Sequence, residues 1–470
     1  MDRQRRADGT RGGTARALLL LVALAIAAPA AAQPAATGGG GRFVVEANPF
    51  LIGQAPDWLD DEHVVWHDPV VRDEDGDGQT QVYRSRLDGS EKVCLTCALP
   101  GPNQVAVAQP GGDWILFHSW GDHVGRIGGP GFGGIGSDVW VMRRDGTQHT
   151  NLTRGPELAD HFHAYWSPDG QHIVWTALNW NAESGGNGKS DIRVARFDPD
   201  GPQGPRLVGE HVVRAGNGHW YETQWWAPDG SGFLYTETTG TAINTELFFC
   251  RLDDPDRSRC RRVRLTRDPA WDEQAIFTPD MNHILFMSSR NLPGAHNDWS
   301  QVATLLDLPA AFDYVVILTV FSDSFLQPVL QQATDLYEME LDWNRHRTMF
   351  KAGRVRRLTT SGVDAWVIPE FAWDPSGTRL LWTQNKFRSG HRVDQACVTR
   401  RVRAEYIRRL TSVDRVNEIP FGLPNEMREQ AAALLRHPSQ FAFAGLGCGG
   451  EDPAQTPNWA QQTVIGRYLP

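Results

Sequence analysis

Short runs of alternating apolar and polar residues, each bounded by Pro, Asp or Gly, recur along most of the chain and predict strands joined by tight turns. The clearest run is Trp166–Trp175 (WSPDGQHIVW). Trp226–Tyr235 (WAPDGSGFLY), Phe277–Phe286 (FTPDMNHILF) and Trp373–Trp382 (WDPSGTRLLW) share its template, and Gln109–Phe117 (QPGGDWILF) and Trp58–Trp66 (WLDDEHVVW) follow it more loosely. Each copy joins an aromatic strand end, a turn of Pro-Asp-Gly type and a second strand of β-branched and aromatic residues, which is the local chemistry of a hairpin.

A second mark follows each hairpin: Leu95-Thr96, Leu152-Thr153, Leu265-Thr266, Leu358-Thr359 and Leu410-Thr411, with Leu207-Val208 in the third copy. The intervals between marks are 57, 55, 58, 93 and 52 residues. The long interval exceeds its neighbours by about 40 residues and predicts an insertion at about 291–334 within the fifth copy. Before most marks lies another alternating strand, such as Asp138–Met142, Asp191–Val194, Glu246–Phe249 or Asp335–Met339. Each period therefore supplies about four strands.

Repeated four-stranded units predict an all-β fold, a six-bladed β-propeller of four-stranded antiparallel blades, because closing the ring hides the sheet edges. The propeller is expected over residues 55–411. Residues 412–470 are expected to form a short C-terminal extension of helix and loop, with the helix at about 425–437, where Met427, Ala431, Leu434 and Leu435 share a face and Pro438 stops it. Residues 33–54 read as a linker, and Phe43–Glu46 within it is a candidate strand to close the ring. The recurrent Trp of the template is expected to pack between blades, with sugar stacking as the alternative. The arginine-rich stretch Arg400–Arg409 reads as the solvated face of sixth-blade strands, and the apolar run Tyr314–Phe321 as packing for a loop on one face.

The Pro-Asp-Gly hairpin, the acidic start of the third strand, the Asp-Gly turn and the closing Leu-Thr together closely resemble the TolB-type propeller repeat. That repeat also builds the propeller domains of prolyl-oligopeptidase relatives and oligogalacturonate lyases. The resemblance covers roughly residues 55–411 and marks a fold, which by itself hosts many functions. It implies a bacterial periplasmic or secreted protein that acts as a non-catalytic scaffold for a protein or envelope component. In TolB a small α/β domain precedes the propeller; only about 20 residues separate the leader from the first blade here, so that domain is not expected.

Residues 1–32 read as a secretory signal: five Arg precede the apolar run Ala17–Ala28, and Ala30, Ala31 and Ala32 offer the small residues a signal peptidase needs. The run is too short to span a bilayer, so no membrane insertion of the mature chain is expected. With 40% hydrophobic, 10% aromatic and 22% charged residues the chain can bury a core, which excludes disordered and collagen-like classes. The net charge is −10, from 46 Lys and Arg against 56 Asp and Glu, and it disfavours nucleic acid as a partner.

Export makes disulfides the expected state of the six cysteines. Cys250 and Cys260 flank a polar turn and are expected to bridge a hairpin, Cys94 and Cys97 to form a short-loop disulfide, and Cys397 and Cys448 to pair by elimination.

Two constellations could hold a cation. Asp73, Asp75 and Asp77, with Gln79 after Gly78, match the first positions of a calcium loop. Arg84 stands where an EF-hand needs Glu, so a full EF-hand is excluded, and a solvated acidic turn is the plain alternative. The second lies just upstream of the hairpin turns, on strands expected to line the channel. His161 and His163, two apart, would share a strand face. Glu222, Glu273 and Glu370 occur at similar offsets in later copies, near Gln224, Gln274, His219 and Asp272. His161, His163, Glu222 and Glu273 are thus candidate ligands for a divalent transition metal. Oligogalacturonate lyases hold a metal in such a channel, and the alternative function is a metal-dependent lyase or hydrolase of carbohydrate. No GxSxG nucleophile elbow occurs, and Gly128–Gly136 lacks the strand, helix and Lys of a phosphate cradle.

Overall fold

The Pro-Asp-Gly template closes as a hairpin through a repeated set of bonds. In the third copy the Ser167 N–H donates to the His172 carbonyl and the Gly170 N–H to the Ser167 carbonyl, each at 2.8 Å, with Gly170 at φ +67°. Asp169 Oδ1 accepts the Gln171 N–H at 3.0 Å, so the carboxylate satisfies a donor that the turn leaves open. The fourth copy repeats this with Asp229 and Ser231 at 2.9 Å. In the fifth, Met281 takes φ +55° where the third, fourth and sixth copies use Gly, at a conformational cost of about 1 kcal/mol.

The computed structural model describes residues 43–48, most of 53–387 and 459–468, leaving out chiefly 68–79, 123–135, 180–188, 291–333 and 388–458. The described strands form six four-stranded antiparallel sheets. Five are built from consecutive strands: β2–β5 within Gln54–Cys94, β6–β9 within Asn103–Asn151, β10–β13 within Ala159–Arg214, β14–β17 within Tyr221–Arg264 and β18–β21 within Asp272–Arg357. The sixth is composite: β22 (Ala365–Trp373), β23 (Arg379–Phe387), β24 (Trp459–Tyr468) and, outermost, β1 (Phe43–Asn48). Val45 faces Gly466 and Asn48 faces Thr463 across the β1–β24 ladder.

The Leu-Thr mark proves to be a clasp between the two outer strands. Immediately after the outermost strand, the Leu N–H donates to the third strand and the Thr hydroxyl accepts an N–H from the same residue. Thus Leu358 N–H donates to the Leu336 carbonyl at 2.8 Å while Thr359 Oγ1 accepts the Leu336 N–H at 3.0 Å. The same pairs form between Leu95-Thr96 and Val82, Leu152-Thr153 and Val139, and Leu265-Thr266 and Leu247. The acid that opens the third strand completes the clasp: Thr359 Oγ1 donates to Asp335 at 2.7 Å and Thr153 Oγ1 to Asp138 at 2.6 Å. In the third sheet Leu207-Val208 lies inside the outermost strand, and Asp191 instead accepts the Gly216 N–H at 2.7 Å.

The core lies between neighbouring sheets and runs round the ring. One cluster joins sheets two, three and four through Trp114, Trp175 and Phe248, another joins four and five through Phe249, Phe277 and Phe350, and a third joins five and six through Leu336 and Trp382. Sheets one and two meet at Val65 and Phe117. Trp58, Val64 and Trp66 of sheet one pack against Ala372 and Leu381 of sheet six, which closes the circle. Template tryptophans also stitch blades by hydrogen bonds: Trp166 Nε1 donates to the Val107 carbonyl at 3.2 Å, Trp226 to Tyr165 at 3.1 Å and Trp373 to Phe277 at 2.8 Å.

One expectation shifts. The third strand of the sixth blade comes from Trp459–Tyr468, inside the stretch expected as an extension beyond the propeller. The template marks only the first hairpin of a blade, so the third and fourth strands of the last blade carry no such signal. The expected helix at 425–437, the insertion at 291–334, the stretch Arg400–Arg409 and the signal segment 1–32 lie outside the described residues. Among the described residues there is no helix, and none long and apolar enough to cross a membrane. Cys94–Cys97 and Cys250–Cys260 form disulfides, while Cys397 and Cys448 lie outside the described residues.

Because Thr359 both accepts the buried Leu336 N–H and donates to Asp335, Thr359→Val should destabilise the fold by about 1–3 kcal/mol. Urea unfolding checks this against Thr348→Val in an exposed turn, expected within about 0.5 kcal/mol of the parent.

Candidate functional site

The innermost strands of all six blades, β2 (Gln54–Trp58), β6 (Asn103–Ala108), β10 (Ala159–Trp166), β14 (Tyr221–Trp226), β18 (Asp272–Phe277) and β22, share one irregularity. Each ladder with its neighbour shifts register just before the hairpin turn, between Gln54 and Asp57, Gln104 and Val107, Phe162 and Tyr165, Thr223 and Trp226, Glu273 and Ala275, and Ile368 and Ala372. Ala55, Val105, His163 and Gln274 take left-handed backbone there, with φ between +47° and +49°. A bulge of this kind breaks strand alternation and re-aims side chains. The Thr223 hydroxyl donates to the His163 carbonyl, so the fourth blade holds the bulge of the third.

His163 and Glu222 meet here. His163 Nδ1 lies 2.8 Å from Glu222 Oε1, a close ion pair whose N–H direction falls outside hydrogen-bond alignment. Gln274 Nε2 donates to the same Glu222 oxygen at 3.3 Å. Burial, the largest influence on His163, would lower its pKa, but Glu222 outweighs it with help from Glu370 and Asp160, and the imidazole is raised above its usual 6.5. The His118 ring stacks on His163 at 5.9 Å. Burial, then the charges of His163 and His67, hold His118 well below the usual range, in keeping with its Nε2 accepting the Ala164 N–H at 3.4 Å.

Carboxyls on the inner strands are driven by burial toward their neutral forms. Glu370 is pushed up to about 7 by burial, with His163 opposing and Glu222 adding. Asp160 is pushed up to about 8 by burial, against the Ser137 hydroxyl and His163. Asp57 reaches about 7, again by burial, although it accepts the Ala108 N–H at 2.7 Å and the Trp58 N–H at 2.8 Å. Among the described residues, several buried polar atoms have no hydrogen-bond partner: both amide atoms of Gln224, Gln274 Oε1, Glu370 Oε2 and the Tyr165 hydroxyl.

Of the expected transition-metal set, His163 and Glu222 come together and His161 does not join them. Its Nδ1 lies 3.2 Å from Asp138 Oδ1 of the second blade, a carboxylate that also accepts from Thr153 and Gly155. The bulge at His163 is the reason, since it removes the simple alternation that would have put both imidazoles on one face. Glu273 is buried on β18. Among the described residues no group of three or more His, Cys, Asp or Glu is disposed to hold a metal ion. The calcium-loop residues Asp73, Asp75, Asp77 and Gln79 lie outside the described residues. Sequence reasoning missed Tyr165, His118, Asp160 and Asp57. Asp57 and Tyr165 had a usable signal, each standing directly before the template Trp.

No family model and no curated protein sequence matches the chain. Similar solved structures include a TolB candidate from Agrobacterium tumefaciens, 15% identical, with a TM-score of 0.39 over 68% of this chain and 89% of that one. TolB from Acinetobacter baumannii is 12% identical, with a TM-score of 0.40 over 71% of this chain and 62% of that one. An oligogalacturonate lyase from Vibrio parahaemolyticus is 13% identical, with a TM-score of 0.31 over 48% and 59%. This chain thus spans less than two thirds of the Acinetobacter and Vibrio proteins. The propeller assignment itself stands on the sheet order and on the core that runs from sheet six back to sheet one.

The raised groups fix a pH dependence. Glu370 keeps a proton in the folded chain from its ordinary 4.5 up to about 7, so the folded state binds more protons and stability falls as pH rises through that window. His163 acts in the same direction: its contribution is complete below 6.5 and is lost as pH climbs through its raised folded value. Urea unfolding from about pH 5 to about pH 8 should show a loss attributable to Glu370 of up to about 3 kcal/mol. Glu370→Gln should flatten the profile; an equally steep profile in that variant would remove Glu370 as the cause.

Proposed function

We propose that this chain is an exported binding propeller without catalytic chemistry of its own, whose channel and adjoining loops engage a protein or another envelope component. The observation that supports the reading is the set of buried inner-strand groups, Gln224, Gln274, Glu370 and Tyr165, with polar atoms that no described residue satisfies. Each such atom costs about 1–3 kcal/mol when left unpaired, and buried groups of this kind call for water, an ion or a ligand. A ring whose blades are bonded to one another holds them in fixed positions, as a binding site requires. A calcium ion at Asp73, Asp75, Asp77 and Gln79 would be a separate structural element of this reading.

One observation favours the carbohydrate lyase or hydrolase instead. His163 against Glu222, with Glu370 near neutrality, is a set of groups able to exchange protons at ordinary pH. The net charge of −10 would, however, disfavour an acidic polysaccharide.

The two readings separate on the mature chain. Incubation with oligogalacturonate and with a neutral oligosaccharide, with and without added Mn²⁺, should give no product. An envelope component retained by the wild type should be lost from the Glu222→Gln, Gln224→Ala variant. Turnover that disappears in His163→Ala would replace the binding reading with an enzymatic one.

A further inference from the structure

Among the described residues, the clasp of blade one differs from the others in being tied by a covalent bond. In blades one and two the outermost strand is only two residues long, β5 (Val93–Cys94) and β9 (Thr150–Asn151), so little ladder holds the Leu-Thr pair that follows it. Blade two ties its clasp with hydrogen bonds: Asn151 Oδ1 accepts the Thr153 N–H at 3.1 Å and the Arg154 N–H at 2.9 Å. Blade one has Cys94 and Cys97 at the corresponding positions, on either side of Leu95-Thr96, and joins them as a disulfide. The acid of the clasp is replaced as well, since Thr96 Oγ1 donates to Gln81 Oε1 at 2.6 Å where Thr153 uses Asp138.

This bridge differs from Cys250–Cys260 in access and in what it holds. Cys97 is exposed, whereas Cys250 is fully buried and Cys260 half-buried, so the first bridge is open to an attacking thiolate. It joins residues 3 apart in sequence against 10 for the other, and a bridge that closes a shorter loop lends a fold less stability. The clasp also has hydrogen bonds of its own, because the Leu95 N–H donates to the Val82 carbonyl and Thr96 Oγ1 accepts the Val82 N–H, each at 2.8 Å. Opening the bridge therefore loosens one corner and leaves the ring folded. That corner is a junction. Leu95 is buried between blades one and two in a cluster with Phe117 and Met142, and its carbonyl accepts from His149 Nε2 of blade two at 3.0 Å. Gly146, at φ +82° in the Asp-Gly turn of blade two, lies so close that a Cβ there would come 3.1 Å from the Leu95 carbonyl oxygen.

We propose that Cys94–Cys97 is a site of reversible thiol–disulfide exchange, closed by oxidation and opened by a dithiol, which sets how firmly blade one is fastened to blade two. One thiolate of the dithiol attacks Cys97 Sγ and forms a mixed disulfide as the Cys94–Cys97 bond breaks and Cys94 leaves as a thiolate. The second thiolate of the dithiol then attacks its own first sulfur and expels Cys97. Two electrons pass to the cystine, the dithiol becomes a disulfide, and its two protons end on Cys94 and Cys97. The site lies on an outer strand, away from the channel, and holds whether or not the binding reading above does.

Reduction of the folded mature chain with dithiothreitol, followed by alkylation and peptide mass mapping, tests this. Cys94 and Cys97 should open at a dithiothreitol concentration at least about tenfold below that needed for Cys250 and Cys260. Hydrogen exchange supplies the second readout. On reduction the amides of residues 93–99 should exchange about tenfold faster or more, those of the Leu358-Thr359 clasp should not change, and reoxidation should restore the original rates. A Cys94→Ser, Cys97→Ser variant should exchange at the reduced rate with or without dithiothreitol, which separates loss of this bridge from an effect of the reductant elsewhere. Should that variant fail to fold, the reduction and reoxidation of the parent chain still decide the matter. Opening of Cys94–Cys97 only together with Cys250–Cys260, or only where the ring unfolds, overturns the proposal and makes the bridge a plain structural tie. Exchange that is unchanged by reduction, or full protection in the folded double variant, overturns it equally, because the bridge then has no hold on the junction.

Discussion

The pairing of β1 with β24 is the interaction on which the rest of the molecule depends. Five sheets are each made by one continuous stretch of chain, and none of them can hide both faces alone. The sixth is assembled from β22 and β23, a strand near one end of the sequence and a strand near the other. Leu381 and Ala372 on its two inner strands meet Trp58 and Trp66 of sheet one and so close the circle. Forming it requires contacts of very large sequence separation, whose loop-closure entropy must be met before the local hairpins gain their packing.

How legible this was differs between levels. Six hairpins, their turn chemistry and the four-strand period could be read directly, because Pro, Asp and Gly act through local backbone geometry that needs no tertiary context. The Leu-Thr mark was visible as a repeat, but its physical meaning was not. That Thr359 and Thr153 grip the third strand and its leading acid follows from strands about twenty residues apart lying side by side. The last strand of the ring escaped because Trp459–Tyr468 stands far from any template copy and shows its role only through its neighbours.

The site was legible in part, for a reason rooted in strand geometry. Counting two residues per repeat places His161 with His163, and the counting fails at the bulge, where His163 takes φ +49°. The two imidazoles then serve different carboxylates, Asp138 and Glu222, in blades on either side of their own. Glu222, Gln224, Gln274 and Glu370 could be listed from their offsets to the template. That some of their polar atoms are left without partners could not, because satisfaction is a property of the whole ring.

The bulge links fold and site most closely. A left-handed residue costs roughly 1 kcal/mol outside glycine, yet Ala55, Val105, His163 and Gln274 all accept it at the same place, three residues before the last residue of their strands. The first two are apolar, and their recurrence shows that the bulge belongs to blade geometry and not to ligand chemistry. Evolution of a site on this scaffold therefore needs no new backbone. It needs polar side chains at positions the ring already turns from the ladder, as His163 and Gln274 provide, with Glu370 at the same offset before Trp373. At this offset blades three, four, five and six carry the polar His163, Thr223, Gln274 and Glu370 while blades one and two present Ala55 and Val105, so polarity is unevenly spread within a nearly regular ring. Under the proposed binding reading, that asymmetry is what would orient a ligand within a symmetric architecture.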